Sequence, residues 1–167
     1  MKLIDNVNTL LKDDLAQVLK KDSKVAIAAA YFSIYAYDEL KTQLEQIDEL
    51  KFLFTSPTFT AEKGKKELRE FYIPQLSRER SLYGSEFEVK LRNELTQKAI
   101  AKECAEWVRR KVTFKTNVTQ DAMVGFINAQ TGEERHTYVP INGFTTVELG
   151  SEKGNNIYTM INRLDSP

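Results

Sequence analysis

Residues 25–30, Val-Ala-Ile-Ala-Ala-Ala, are apolar at every position, and no other stretch constrains the fold as tightly. A half-exposed strand alternates apolar with polar residues. An unbroken run suits a strand covered on both faces, as in a parallel sheet flanked by helices. Tyr31 and Phe32 extend the run; Leu40, Leu44 and Ile47 then recur at helical spacing, and Leu50–Phe54 is a second strand candidate stopped by Pro57. The order predicts strand, crossover helix, strand. Alanine is also the best helix former, so a helix through Val25–Ala30 is the alternative.

Other elements group around this unit. Leu10, Leu11, Leu15, Val18 and Leu19 have helical spacing, with Asn8 or Thr9 as cap and Asp13 and Asp14 in the first turns, where the helix dipole favours anions. Asp22-Ser23 makes the turn into the first strand. Thr58–Ser81 has no clear periodicity and reads as an irregular surface excursion. Ser85 with Glu88 is a capping box opening a long helix whose apolar stripe runs through Phe87, Leu91, Leu95, Ala99, Ile100, Cys104, Trp107 and Val108. Arg109, Arg110 and Lys111 close it where cations suit the dipole. Strands are expected at Val112–Lys115, Met123–Ile127, Thr137–Val139 and Thr145–Leu149. Asn128–Glu133 reads as a hairpin loop, Gly150–Asn156 as a second loop, and Ile157–Leu164 as a terminal helix or strand.

Composition narrows the class. With 167 residues, 41% hydrophobic and 29% charged, the chain is expected to form a single domain over residues 1–167. Twenty-four basic residues balance 24 acidic ones, so whole-chain charge selects no partner. Between Ala61 and Lys115, 14 Lys/Arg stand against 9 Asp/Glu, a local excess of 5 that leaves a nucleic-acid footprint open. Cys104 is the only cysteine, so no intrachain disulfide forms, and with His136 as the only histidine a zinc site lacks ligands. No signal-peptide core follows Lys2, and no run approaches the ~18 apolar residues of a membrane span, so no membrane partner and a cytoplasmic location are expected. Glycines after the first strand are missing where a dinucleotide or P-loop fingerprint needs them.

The run Lys24-Val25-Ala26-Ile27-Ala28-Ala29-Ala30-Tyr31-Phe32-Ser33-Ile34, then a helix, then Leu50-Lys51-Phe52-Leu53-Phe54, resembles the opening of phospholipase-D-like domains. Such domains occur in some nucleases and at the N-terminus of bacterial SNF2-type or DEAD/DEAH-type helicases. The long helix from Phe87 to Trp107 and the Lys111–Lys115 strand resemble the helicase-attached branch. The resemblance implies an α/β fold with a mixed, largely parallel sheet flanked by helices. It also implies a motif, His-x-Lys-x4-Asp followed after six residues by Gly-Ser-x-Asn, two copies of which meet around one phosphodiester. One histidine attacks phosphorus, the other protonates the leaving group, and the lysines hold the nonbridging oxygens. Aligned on Gly150-Ser151, the histidine position is His136, but Tyr138 stands for the lysine, Gly143 for the aspartate and Lys153 for the asparagine. A second register, with Asp121 for the histidine and Met123 for the lysine, fits worse. The copy is degenerate.

The resemblance therefore implies a noncatalytic accessory domain of a longer helicase-like protein, assisting DNA or partner binding. No cofactor is expected in this domain, and ATP only in a helicase portion beyond it. Lys98, Lys102, Arg109, Arg110, Lys111 and Lys115 are the candidate nucleic-acid contacts. Two rivals remain: a phosphodiesterase or endonuclease acting as a homodimer through His136, and a protein-interaction module without DNA contact. An isolated loop histidine without function is the plainer reading of His136. If the basic residues form one exposed patch, DNA contact is favoured; if carboxylates neutralise them, the interaction module is.

The capping box carries its own test. Ser85→Ala removes an acceptor for a helix N-terminal amide and should lower stability by roughly 0.5–2 kcal/mol, seen as a lower denaturation midpoint at unchanged slope. An unchanged midpoint would place the helix start elsewhere.

Overall fold

The Val25 run is a strand. A computed structural model describes residues 1–55, 86–119, 121–154 and 160–166, with side chains of the long helix described from residue 97 onward. The Thr58–Ser81 excursion, the Ser85 capping hydroxyl and the side chains of Phe87, Leu91 and Leu95 lie outside the described residues. Elements follow in the order β1 (Lys2–Ile4), α1 (Leu11–Val18), β2 (Lys24–Ala29), α2 (Ile34–Glu39), α3 (Lys41–Gln46), β3 (Glu49–Phe54), α4 (Glu86–Lys111), β4 (Val112–Thr116), β5 (Phe126–Thr131), β6 (Glu134–Val139) and β7 (Ile161–Ser166).

The fold is mixed α/β, and among the described residues it has one seven-stranded sheet in the order β1-β7-β6-β5-β2-β3-β4. The strand–helix–strand unit forms as the spacing predicts: β2 pairs β3 in parallel, with α2 and α3 between them in sequence. The expectation of a largely parallel sheet is corrected. Only β2–β3 and β3–β4 are parallel, while β2–β5, β5–β6, β6–β7 and β1–β7 are antiparallel. The β5–β6 connection is two residues long, and a hairpin that tight permits only antiparallel pairing, while β7 returns antiparallel to β6 after a longer connection, residues 140–160.

Among the described residues the helices join the core on one face of the sheet, while on the other face Ala28 is buried as well, 1% exposed. Every strand residue in the apolar core, among them Val25, Ile27, Ala29, Leu50, Phe52, Phe54, Ile127 and Ala129, lies on one face. Leu11 and Leu15 of α1, Ala36 and Tyr37 of α2, Leu44 of α3 and Ile100, Cys104 and Trp107 of α4 join that same core. The opposite face carries Lys24, Ala26 and Ala28 of β2 and Glu49, Lys51 and Leu53 of β3. The unbroken apolar run thus arises from large residues at 25 and 27 facing the core and alanines at 26 and 28 on the other side.

Trp107 joins the helices to the sheet. It is fully buried, its ring centroid 5.0 Å from Tyr37 and 6.4 Å from Phe32. Phe32 in turn meets Phe52 at 5.4 Å and Phe114 at 5.5 Å, both edge-to-face, a favoured geometry for aromatic pairs. The indole Nε1 donates to the Leu44 carbonyl at 2.8 Å, near the end of α3. That bond satisfies a helix-terminal carbonyl which has no intrahelical partner.

Local expectations fare unevenly. The Asp38–Ile47 helix is two short helices meeting at Leu40, and Leu40, Leu44 and Ile47 are all buried as expected. Neither Asn8 nor Thr9 caps α1: Asn6, at φ 55°, accepts from the Leu11 amide at 2.8 Å, while Asp5 accepts from the Val7, Asn8 and Thr9 amides. The β5–β6 turn is two residues, Gly132-Glu133, so Asn128–Thr131 is strand rather than loop; Gly132 at φ 61° supplies the positive φ that a tight hairpin needs. Thr145–Leu149 forms turns, not a strand, and Ala99 is exposed, off the apolar stripe. Of the two readings for the last segment, strand holds from Ile161 on, as β7, and residues 157–159 lie outside the described residues.

Trp107→Phe keeps a ring in the core but leaves the Leu44 carbonyl unpaired. It should cost about 1–3 kcal/mol in chemical denaturation. A change within error would show that this bond is not needed to hold α4 on α3.

Candidate functional site

Strand register brings the chemistry-bearing residues together at one end of the sheet. His136 stands opposite Asp165, Tyr138 opposite Arg163, and Arg163 opposite Lys2. These positions alternate with Thr137 and Leu164, so all five side chains lie on the helix-covered face. Helix α1 lowers Asp14 onto them.

Asp14 is 2% exposed and is the hub of the cluster. It receives Lys2 Nζ, the Tyr138 phenol at 2.7 Å, and Arg163 Nη1 at 3.0 Å to each carboxylate oxygen. Burial pushes this carboxyl up, but hydrogen bonds from Lys2, Tyr138 and Arg163 outweigh it and hold the group below the ordinary carboxylate range. Tyr138, wholly buried, is pushed above the usual phenol range by burial and then by its bond to Asp14. Arg163 continues the chain, donating through Nη2 to Asp165 at 3.1 Å, and Asp165 meets His136 Nδ1 at 2.6 Å. The His136 bond, then Arg163, lowers the Asp165 carboxyl. An ionised carboxylate only accepts, so Nδ1 carries the proton in this bond. Nε2 lies 3.9 Å from the exposed Glu134 carboxylate.

This arrangement orients a histidine without completing a phosphoryl site. His136 and Tyr138 share a face, as the motif requires of its histidine and lysine, but the Tyr138 phenol is consumed by Asp14. Gly143 brings no carboxylate, and Lys153 is exposed in the loop after Gly150. Asp121 and Met123, the alternative register, sit exposed ahead of β5. Burial lifts the Cys104 thiol to about 12, which leaves it an inert core residue. No group of three or more His, Cys, Asp or Glu is placed to hold a metal among the described residues. Nor, among them, is any helix long and apolar enough to cross a membrane.

The six basic candidates divide. Lys98, Lys102 and Arg109 are exposed, and steps of four and seven residues put them on one stripe of α4, opposite Trp107. Arg110 instead donates to Glu45 at 2.7 Å, and Lys111 donates to the Ile47 carbonyl, so both tie α4 to α3. Lys115 lies on β4 with Phe114 facing the core, so its side chain emerges on the other face of the sheet. They are not one patch.

Sequence reasoning missed Asp14 and Arg163 as partners and did not see β1. One signal was present: Asp14 falls on the stripe Leu11, Leu15, Val18, where an acidic residue must find a buried partner. The partner's identity was not readable, because Arg163 lies 149 residues away. No model of a known protein family matches the chain, and a search of curated proteins finds no match.

Asp14→Asn would leave Arg163 and Lys2 without their shared carboxylate and should cost about 3–5 kcal/mol, the usual loss when one partner of a buried pair is removed. Because the folded-state value of Asp14 is depressed, its contribution is complete above the unfolded value of ~3.9 and is lost as pH falls through the folded one. Denaturation midpoints followed from about pH 6 down to pH 2 should fall for wild type and fall less for Asp14→Asn. Parallel curves would assign the acid sensitivity to other carboxylates.

Proposed function

We propose that this chain is a noncatalytic phospholipase-D-like accessory domain of a helicase-like protein, assisting nucleic-acid or partner binding. ATP binding and hydrolysis belong, on this reading, to helicase domains outside the chain. The observation that carries it is Tyr138. At the position where the resemblance calls for a lysine stands a neutral phenol, fully buried and donated to Asp14. A neutral, occupied phenol supplies no cation for a phosphoryl oxygen. The cluster around it is built to hold strands and helix together.

Support for nucleic-acid contact comes from Lys98, Lys102 and Arg109, which span about 16 Å along α4 at ~1.5 Å per residue. Against it, Arg110 and Lys111 serve the fold. A second reading, a dimeric phosphodiesterase, is favoured by the oriented His136–Asp165 pair and requires two such histidines to meet across an interface.

The purified chain should cleave neither DNA nor a model phosphodiester, with or without chelator. It should bind duplex DNA weakly and lose affinity steeply with salt, with a log–log slope of about −0.9 per neutralised phosphate. Metal-independent cleavage that vanishes in His136→Ala would overturn the noncatalytic reading in favour of the dimeric enzyme. Absence of any DNA binding at low salt would leave a protein partner as the ligand.

A further inference from the structure

We propose that the face of the sheet opposite the described helices, on which Lys24, Lys51, Lys115 and Arg135 are exposed, is a binding surface for single-stranded nucleic acid. The proposal rests on the accessory-domain reading and names the ligand class and the surface.

The face is defined by the strand positions that alternate with the core. Its cations are Lys24 on β2, Lys51 on β3, Lys115 on β4 and Arg135 on β6, all exposed. Its only carboxylate among the described strand residues is Glu49, half-buried opposite Lys24. Four cations against one anion, in a chain of balanced total charge, is a segregation that complements a polyanion.

The cations also lie in a line. Ala26 stands opposite Lys51, and Lys51 opposite Thr113, so Lys115 is one strand over and two residues up from Lys51, while Lys24 is one strand over and two residues down. With strands ~4.8 Å apart and a rise of ~3.3 Å per residue, each step is about 8 Å. The register continues from Lys24 through Gln130 to Arg135, whose guanidinium donates to the Gln130 amide at 3.3 Å. The track therefore runs diagonally from Lys115 through Lys51 to Lys24 and straight on past the neutral Gln130 to Arg135, four cations over five adjacent strands.

Beside the track the floor suits bases rather than a duplex. Ala26 is small and half-buried, and half-buried Phe126 offers an aromatic side chain beside Ala28, which is itself buried. Asn128 and Thr137 stand opposite one another, hydrogen-bonded at 3.2 Å, and present amide and hydroxyl groups to the same surface. Extended single strands bind open sheets in this way, with bases stacked on aromatics and phosphates on flanking cations. A duplex keeps its bases stacked inside and leaves Phe126 unused.

The test is fluorescence anisotropy with a labelled oligothymidylate about 16 nucleotides long, the upper end of one site, and a duplex of equal length. Wild type should prefer the single strand. Lys24→Ser/Lys51→Ser/Lys115→Ser should weaken single-strand binding by about tenfold or more and flatten its log–log salt slope by about 2, three phosphates at ~0.7 each. The arginine triple variant at the same positions should retain wild-type binding. Because all three lysines are exposed, circular dichroism should be unchanged. Lys98→Ser/Lys102→Ser/Arg109→Ser, on the helix stripe, should weaken duplex binding and cost single-strand affinity less than the sheet-face serine variant does. Wild-type affinity in the sheet-face serine variant overturns the proposal. If the helix-stripe variant then loses binding, the accessory reading stands with its surface on α4; if wild type binds neither nucleic acid at low salt, the nucleic-acid half of that reading falls as well.

Discussion

Asp14 is the interaction on which the two ends of the chain depend. One buried carboxylate accepts from β1 through Lys2, from β6 through Tyr138 and from β7 through Arg163. β1 is only three residues long and pairs with β7 alone, so backbone hydrogen bonds by themselves hold it weakly. A charge buried this deeply is tolerated only when its lone pairs are filled, and two of the three donors, Tyr138 and Arg163, lie 124 and 149 residues away. The cluster thus specifies one placement of α1 on the sheet, and with it the closure of the N-terminal strand against the last one.

The aromatic part of the core lies at the other end of the sheet. Read across the strands, Lys2, Arg163, Tyr138, Ile127, Ile27, Phe52 and Phe114 stand side by side on one face. The row runs from a charged end, satisfied by Asp14, to an apolar end, where Phe32 and Trp107 pack. Two kinds of glue therefore act under one layer of helices. On the apolar side the stabilisation is nondirectional burial; on the polar side it depends on every hydrogen bond being made. His136 lies at the polar end, where its neighbours Asp165 and Arg163 are bonded to each other.

The fold was legible where a local pattern reports burial. The β2–helix–β3 unit, the α4 stripe through Ile100, Cys104 and Trp107, and the β4 strand follow from periodicity, because each buries a face whose period is that of its own backbone. Strand direction was not legible. An apolar run is the same whether its neighbour is parallel or antiparallel, so the β5–β7 returns made the sheet mostly antiparallel without leaving a mark in residues 25–30. The β5–β6 turn was misplaced for a similar reason: Asn128 and Gln130 are polar because they occupy the face opposite the described helices, not because they form a loop.

Of the candidate site, the sequence alone determined the inventory: a single histidine and cysteine, a tyrosine two residues after the histidine, and basic residues clustered late in the long helix. Composition and spacing suffice for such statements because they concern which groups exist. Only the tertiary structure decided what those groups are free to do. It gave Arg110 to Glu45 and Lys111 to a helix end, sent Lys115 to the opposite face, and buried Tyr138 on a carboxylate contributed from 124 residues away. Long-range pairing and the side on which a residue emerges are set by strand register. Register is a property of two strands together, which neither strand's sequence contains alone.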